Sequence, residues 1–141
     1  MTIARTAVRV ALGTAMVGAG LLHLTVAREE FQAQVPEWFP VGDDLTVVAS
    51  GVVEIGLGAA FVAVPSRRRT VGLLLAAFYV AIFPGNVAQY VEHTDAFGLT
   101  TDRARFVRLF FQPVLVLAAL FGGGFWSGAR QEREARRTDA D

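Results

Sequence analysis

Long apolar stretches alternate with short charged ones along this chain. Four stretches contain almost no charged residues, at 10–27, 45–64, 70–91 and 106–127. A bilayer core of ~30 Å is crossed by ~20 helical residues, so each stretch is long enough to be a transmembrane helix. A helix also satisfies its own backbone hydrogen bonds in lipid. The pattern therefore predicts an all-α fold, a polytopic membrane protein with a bundle of four transmembrane helices.

The connections between these spans contain residues that end helices. Pro36 lies in the first connection, Pro65 in the second and Gly98 in the third. We expect a single transmembrane domain over residues 1–129, followed by a charged tail over residues 130–141.

The basic residues predict the orientation of the spans. Every basic residue is an arginine, and most lie before the first span, between the second and third, or after the fourth: Arg5, Arg9, Arg67, Arg68, Arg69, Arg130, Arg133, Arg136 and Arg137. The other two connections are rich in Asp and Glu. Because arginine-rich connections stay in the cytoplasm, we expect both termini and the tail to be cytoplasmic. A cleaved signal peptide is the alternative for the first span, and it would leave the direction of the other three unchanged.

Composition narrows the class of protein. Hydrophobic residues make up 53% of the chain and charged residues 18%, which is more apolar than a soluble domain of this size can bury. The absence of cysteine excludes disulfides, thiolate metal sites and thiol exchange by this chain itself. Exclusive use of arginine, with abundant Ala, Gly and Val, is typical of a GC-rich bacterium. We therefore expect a bacterial inner membrane protein whose partner is the lipid bilayer, with no nucleic acid partner.

Polar side chains inside the spans are the candidates for function, because they are costly in lipid and therefore rare there. They are His23, Ser50, Glu54, Asn86, Gln89, Arg108 and Gln112. Counted along each helix, His23, Asn86, Gln112 and Glu54 lie in the outward-facing half of the bilayer, with Glu54 deepest. We expect a pocket there with no catalytic residue and no metal ligand, formed by His23, Ser50, Glu54, Asn86, Arg108 and Gln112.

Helical spacing predicts which way these side chains point. Small residues repeat every four positions, and such a stripe predicts a close helix contact. In the first span the stripe is Ala11, Ala15, Ala19 and His23; in the second it is Ser50, Glu54 and Gly58, with Gly51 alongside. Both His23 and Glu54 should therefore face the bundle.

Glu54 carries the sharpest expectation. A carboxylate near the bilayer centre costs at least ~2.5 kcal/mol, so Glu54 should be protonated, hydrogen-bonded or hydrated. We expect His23 and Asn86 to be its nearest hydrogen-bond partners and Arg108 a poorer one. Two interpretations stay open: these groups join the helices to one another, or they form a pocket for a small ligand, a proton or a quinone head group.

Other features allow two readings each. His23 and His93 could in principle ligate a haem, although only His23 lies within a span. Pro84 and Pro113 either kink their helices and free a carbonyl, or serve packing alone. The aromatic connection 28–44 either anchors the chain at the headgroup level or caps the pocket above Glu54.

Several motifs are similar to those of a known family. They are Gly20-Leu21-Leu22-His23, Val35-Pro36-Glu37-Trp38-Phe39-Pro40, Ser50-Gly51-Val52-Val53-Glu54, Phe83-Pro84-Gly85-Asn86 and Arg108-Leu109-Phe110-Phe111-Gln112-Pro113. Their order and spacing across all four spans resemble the DoxX-like family of small bacterial membrane proteins. Such proteins often have Leu-Pro-Leu-Gln at the start of the last span. Here the proline is displaced to Pro113.

The resemblance implies a four-helix membrane bundle and a link to quinone-coupled thiosulfate oxidation, or to membrane oxidoreductase complexes that handle thiol and oxidative stress. The leading hypothesis is a subunit or accessory factor of a quinone-linked redox system, with a membrane or peripheral oxidoreductase as partner. It has no intrinsic cofactor, and a quinone is the candidate ligand. Whether the chain is itself an enzyme stays open. A small transporter or permease is one alternative, although the apolar inner half offers no polar path. A structural or assembly factor is the other.

Overall fold

The computed structural model describes residues 2–127 and Arg137, and no β-strand occurs among them. The helices are α1 (Ile3–Leu24), α2 (Arg28–Gln32), α3 (Asp43–Ala63), α4 (Arg68–Val91), α5 (Asp102–Leu109) and α6 (Phe111–Gly123), with a 3-10 turn at Pro65–Arg67 before α4. The all-α prediction is confirmed. The predicted tail at 130–141 lies outside the described residues, apart from Arg137.

Four helical segments are long and apolar enough to cross a membrane within the described part of the chain. They are α1, α3, α4 with its preceding turn, and α5 together with α6. The first begins at Ile3, earlier than the apolar stretch at 10–27, because Thr2 caps it. The Thr2 hydroxyl accepts a hydrogen bond from the backbone N–H of Arg5 at 3.4 Å.

The helices pack in two main pairs. Helix α1 packs mainly against α3, α4 packs mainly against α6, and α1 also contacts α6. The buried core between them is formed by Leu12, Met16, Phe61, Val71, Leu75, Ala76, Tyr79 and Ala119. Apolar residues such as Leu21, Val52 and Leu74 remain exposed on the outside of the bundle, as lipid-facing residues would.

The α1–α3 pair is unusually close because glycines lie at its contacts. A Cβ atom added at Gly20 would lie 2.6 Å from the carbonyl oxygen of Gly51, and one added at Gly58 would lie 2.6 Å from that of Gly13. Gly13 and Gly20 are seven residues apart on α1, and Gly51 and Gly58 are seven residues apart on α3. A seven-residue step returns to within ~20° of the same helix face, so these glycines stay in line with the partner helix.

The predicted alanine stripe on the first helix is wrong. Ala11 and Ala15 are exposed and Ala19 is only partly buried, although His23 at the end of the stripe is buried. A four-residue step turns ~40° past a full turn, so three such steps carry the stripe ~120° around the helix. The stripe predicted on α3 holds better, since Gly51, Glu54 and Gly58 are all buried, with Ser50 at its margin.

The fourth apolar segment is interrupted where α5 ends and α6 begins. Phe110 separates the two helices, its backbone N–H donates to the carbonyl of Val107 at 3.1 Å, and Pro113 lies in the first turn of α6. Proline has no N–H, so the carbonyl of Leu109 cannot receive its usual i→i−4 bond from position 113. The carbonyl freed by Pro113 thus lies next to this interruption. In α4 the helix continues through Pro84 to Val91.

The two ends of the bundle differ in their side chains. At the end where α1 begins and α3 finishes, the buried guanidinium of Arg9 donates to the carbonyls of Phe61 and Val62, the latter at 2.7 Å. These carbonyls lie in the last turn of α3, where no helical N–H can reach them. Nearby, Arg5 donates to Ser127. At the opposite end the two longer connections pack together.

Candidate functional site

A buried His–Glu pair lies between α1 and α3. His23 Nδ1 is 2.9 Å from Glu54 Oε2, and the two residues are 7% and 4% exposed. Their juxtaposition follows from the close glycine contact, since a Cβ added at Gly51 would lie 2.9 Å from the Cβ of His23. The two side chains are therefore close together in the structure, but the predicted hydrogen bond between them is not formed.

This pair is close but not fully hydrogen-bonded. His23 Nδ1 also lies 2.9 Å from the carbonyl oxygen of Ala19, one turn earlier in α1, and this second contact has hydrogen-bond geometry. Glu54 Oε2 is buried and receives no well-aligned hydrogen bond from the described residues. The 2.9 Å separation therefore reports proximity rather than a satisfied acceptor. A buried polar atom without a partner is rare in folded proteins and is often found at functional sites.

Aromatic residues cover the pair on the side of the connection 28–44. The ring of Phe31, in α2, stacks on His23 with the ring centroids 3.3 Å apart and the planes 17° from parallel. Phe97 meets Phe31 edge-on at 4.7 Å. Trp38, from the same connection as Phe31, is 68% exposed. The connection 28–44 thus supplies a cap through Phe31 and an exposed aromatic residue through Trp38.

Phe97 is held in a strained turn. Its φ is 53° and that of Gly98 is 70°, while Leu99 N donates to the Ala96 carbonyl at 3.0 Å. Positive φ at both central positions is the geometry of a type I′ turn, which a phenylalanine adopts only at a cost. The carboxylate of Glu30 accepts the N–H of Phe97, which ties this turn to α2.

Ser50 does not reach the His–Glu pair. Its hydroxyl donates to the carbonyls of Thr46 at 2.9 Å and Val47 at 3.1 Å, both within α3. This local bonding satisfies the hydroxyl within its own helix. Ser50 therefore uses its hydroxyl proton within α3 and forms no hydrogen bond with His23 or Glu54.

Asn86 and Gln112 bond to each other instead of to Glu54. Asn86 Nδ2 donates to Gln112 Oε1 at 2.9 Å, and Gln112 Nε2 donates to the carbonyl of Tyr79 at 2.7 Å. These bonds join α4 to α6. The predicted Asn86–Glu54 hydrogen bond is not formed, because the amide of Asn86 faces α6.

Three of the six candidates line a cavity apart from the His–Glu pair. The cavity has a volume of about 640 Å³ and is lined by Asn86, Leu99, Thr101, Arg103, Ala104, Val107, Arg108, Phe111, Gln112 and Leu115. It lies among α4, α5, α6 and the connection before α5. The guanidinium of Arg108 lies over the ring of Phe97 at 5.1 Å. The six candidates thus form two groups, with Ser50 outside both.

Two buried polar residues hold the connections before α3 and before α5 in place, and neither is among the six candidates. Gln89 is 1% exposed; it accepts from Gln34 at 2.6 Å and donates to the carbonyls of Thr94 and Ala96. A polar residue near the end of a span, beside a connection rich in Asp and Glu, is the sequence feature that could have identified them. Arg105 is also buried and binds Asp95 and Asp102.

Charged residues at the rim also pair. Arg28 binds Asp44 through two hydrogen bonds of 2.7 and 2.6 Å, and this bonding raises the pKa of the Arg28 guanidinium above its ordinary value. His93 Nδ1 lies 2.7 Å from Asp102 in the exposed connection before α5. Among the described residues, no group of three or more His, Cys, Asp and Glu side chains is arranged to hold a metal ion.

A family model matches most of the chain. It is described as a domain of unknown function, DUF8561, and it matches residues 12–122. The chain belongs to this family. The DUF8561 match runs from α1 almost to the end of α6, so it includes all six candidate residues and leaves out Arg9. Neither a curated protein nor a solved structure matches the chain.

Proposed function

We propose that this DUF8561 protein spans a bacterial cytoplasmic membrane four times, with both termini in the cytoplasm. Four sufficiently long apolar helices support the insertion. The orientation of the bundle in the membrane is supported by the arginines at the end where α1 begins and α3 ends. Arg9 contacts the end of α3, Arg69 lies over Phe125 at 5.7 Å, and Arg68 lies beside Gly123. Arginines gathered at one end favour that end for the cytoplasm.

Single cysteines would test this orientation cleanly, because the chain has none of its own. Ser66 and Glu92 are exposed and lie at opposite ends of α4. In intact spheroplasts a membrane-impermeant maleimide should label Glu92→Cys and spare Ser66→Cys until the membrane is permeabilised. Labelling of Ser66→Cys alone before permeabilisation would reverse the proposed direction.

Within this membrane we infer an accessory subunit of a quinone-linked redox system, of the kind that the DoxX-like resemblance suggests. The observation that carries this proposal is the buried His23–Glu54 pair with its unpartnered Oε2. At a separation of 2.9 Å, a reorientation of the Glu54 carboxyl group would align a hydrogen bond to the His23 imidazole, and in the proposal the pair then holds one proton between them without leaving a lone charge in the bundle. Burial and a specific charge partner are typical of functional carboxyl groups.

The quinone itself fits this chain's cavity poorly. A quinone head group is neutral, so its carbonyls could accept hydrogen bonds from Arg103 and Arg108 but would leave both positive charges without a counter-ion, and the amides of the cavity already bond to each other. No chemical step is therefore assigned to a quinone held by this chain. In the proposal an oxidoreductase partner carries the electrons, and His23 and Glu54 take up or release the accompanying protons.

The test separates proton handling from stability. A deletion strain is complemented with wild type, Glu54→Gln or Glu54→Leu, and its resistance to thiol and oxidative stress is measured beside the detergent stability of each purified variant. Neither variant can exchange a proton at this position, so both should fail to complement while their stability stays near that of wild type. An apolar replacement of a buried polar group is often neutral for stability.

A structural role is the second candidate, and the Asn86–Gln112–Tyr79 bonds favour it for the α4–α6 pair. Full complementation by both Glu54 variants would make that role sufficient for the His–Glu pair as well. Equal loss of stability and resistance in Glu54→Gln would point the same way. Mass spectrometry of the gently purified protein would identify what co-purifies with it. An oxidoreductase would support the accessory-subunit proposal, whereas small molecules in its place would support a transporter.

A further inference from the structure

The cavity beside α5 has an unbalanced charge. Among its lining residues are Arg103 and Arg108, and none is Asp or Glu. Two acidic residues close to these arginines in sequence, Asp95 and Asp102, both bind Arg105. The cavity therefore offers positive charge that these carboxylates do not neutralise.

Arg108 is the more demanding of the two arginines. Its side chain is partly buried. Within residues 2–127 its guanidinium forms no ion pair and no hydrogen bond, and its one contact of note is with the ring of Phe97, at 5.1 Å from the ring centroid. A guanidinium stays charged at any physiological pH. Placed within a membrane helix it is costly unless a counter-ion or water reaches it. An anion in the cavity would supply that counter-ion.

Besides the arginines and the polar side chains of Asn86, Thr101 and Gln112, the cavity has an apolar part. Val107, Phe111 and Leu115 line it, and Val107 and Phe111 are 52% and 64% exposed. Because these two side chains are exposed, the apolar part of the cavity is accessible from outside the bundle. In a bilayer this opening would face the acyl chains, with Arg103 and Thr101 at its polar end.

We propose that this cavity binds an anionic amphiphile, with its phosphate or carboxylate head on Arg103 and Arg108 and its acyl chain along Val107, Phe111 and Leu115. Guanidinium groups bind both kinds of head through charge-assisted hydrogen bonds. Such a ligand comes either from the bilayer, as an anionic phospholipid, or from free fatty acid. The site rests on the proposed membrane insertion and is independent of the redox role of Glu54.

Native mass spectrometry of the full-length protein in mild detergent tests the site. The probes are phosphatidylglycerol, phosphatidylcholine, oleate and inorganic phosphate, each titrated separately. Wild type should retain one phosphatidylglycerol or one oleate per chain in preference to phosphatidylcholine. The Arg103→Gln/Arg108→Gln double variant should bind phosphatidylglycerol or oleate at least about tenfold more weakly than wild type, because two favourable charges are lost. The variant Leu115→Trp fills the apolar part and should weaken binding without changing charge.

Arg67→Gln provides the matched control, since it removes one positive charge at the opposite end of the bundle and should bind as wild type does. Preference for phosphatidylglycerol assigns the bilayer as the source, and preference for oleate assigns free fatty acid. Equal retention of phosphatidylcholine, or unchanged binding in the double variant, would overturn the proposal. So would inorganic phosphate that binds as tightly as the amphiphile, because the acyl chain would then contribute nothing. If Leu115→Trp fails to fold, the double variant alone decides the outcome.

Discussion

The two helix pairs of this bundle differ in whether their polar side chains are hydrogen-bonded. Between α1 and α3 the backbones touch at glycines, and the contact encloses Glu54 with an acceptor oxygen that lacks a well-aligned donor. Between α4 and α6 the amides of Asn86 and Gln112 bond to each other, and a cavity lies beside them. The amides thus have the bonding expected of groups that join helices, whereas Glu54 and Arg108 carry unmet bonding capacity. A buried polar or charged group that lacks a bonding partner can bind a ligand or a proton.

The largest expected effect is a break in the close α1–α3 contact. Gly20→Ala would place a Cβ 2.6 Å from the carbonyl oxygen of Gly51, so the helices must separate. Overpacking of this kind costs up to about 3 kcal/mol. We expect a loss of that size in the free energy of unfolding, measured by SDS titration in mixed micelles.

Gly18→Ala is the matched control for this contact. It lies on the same helix, and nothing is within 4 Å of its added Cβ. Alanine is a better helix former than glycine by up to about 1 kcal/mol, so this variant should be neutral or slightly more stable. Equal effects of the two substitutions would mean that the α1–α3 contact is not a close glycine contact.

How far this contact could be foreseen depends on the helix. On α3 the positions of Glu54 and Gly58 were predicted from spacing alone, and both are buried. On α1 the predicted alanine stripe winds around the helix, and the contact with α3 is instead formed at Gly13 and Gly20, which are seven residues apart. A four-residue repeat is a reliable guide over one step but not over three.

The grouping of the candidate site was less predictable than the number of helices. Apolar length alone predicts four long helices, and the described residues contain them. Depth along each helix placed Asn86 and Glu54 in the same half, but depth says nothing about which helices are neighbours. Because α4 packs mainly against α6, Asn86 meets Gln112. The short helix α2 was also missed, since five residues carry too little periodicity to be recognised.

A smaller effect is expected at the basic end of the α1–α3 pair. Arg9→Met would remove the hydrogen bonds to the carbonyls of Phe61 and Val62 and leave the last turn of α3 unsatisfied. Hydrogen bonds from charged donors contribute about 2 kcal/mol, so a loss of that size should appear in the same SDS titration.

Arg67→Met removes the same charge at the same end of the bundle, but Arg67 is exposed. It should change stability little. If both variants lose the same amount, the effect is one of net charge, and the contact between Arg9 and α3 is not what holds this end together.

The smallest effect concerns the α4–α6 pair and is measured by a double-mutant cycle. Asn86→Leu removes one hydrogen bond to Gln112, and Gln112→Leu removes that bond together with the one to the Tyr79 carbonyl. Side-chain hydrogen bonds between membrane helices contribute about 0.6 kcal/mol each. Gln112→Leu should therefore cost roughly twice as much as Asn86→Leu, and the double variant should cost no more than Gln112→Leu alone, because the shared bond is lost only once. Additive single effects would show that the two amides act separately, and the contrast between a satisfied α4–α6 pair and an unsatisfied α1–α3 pair would then fail on its first side.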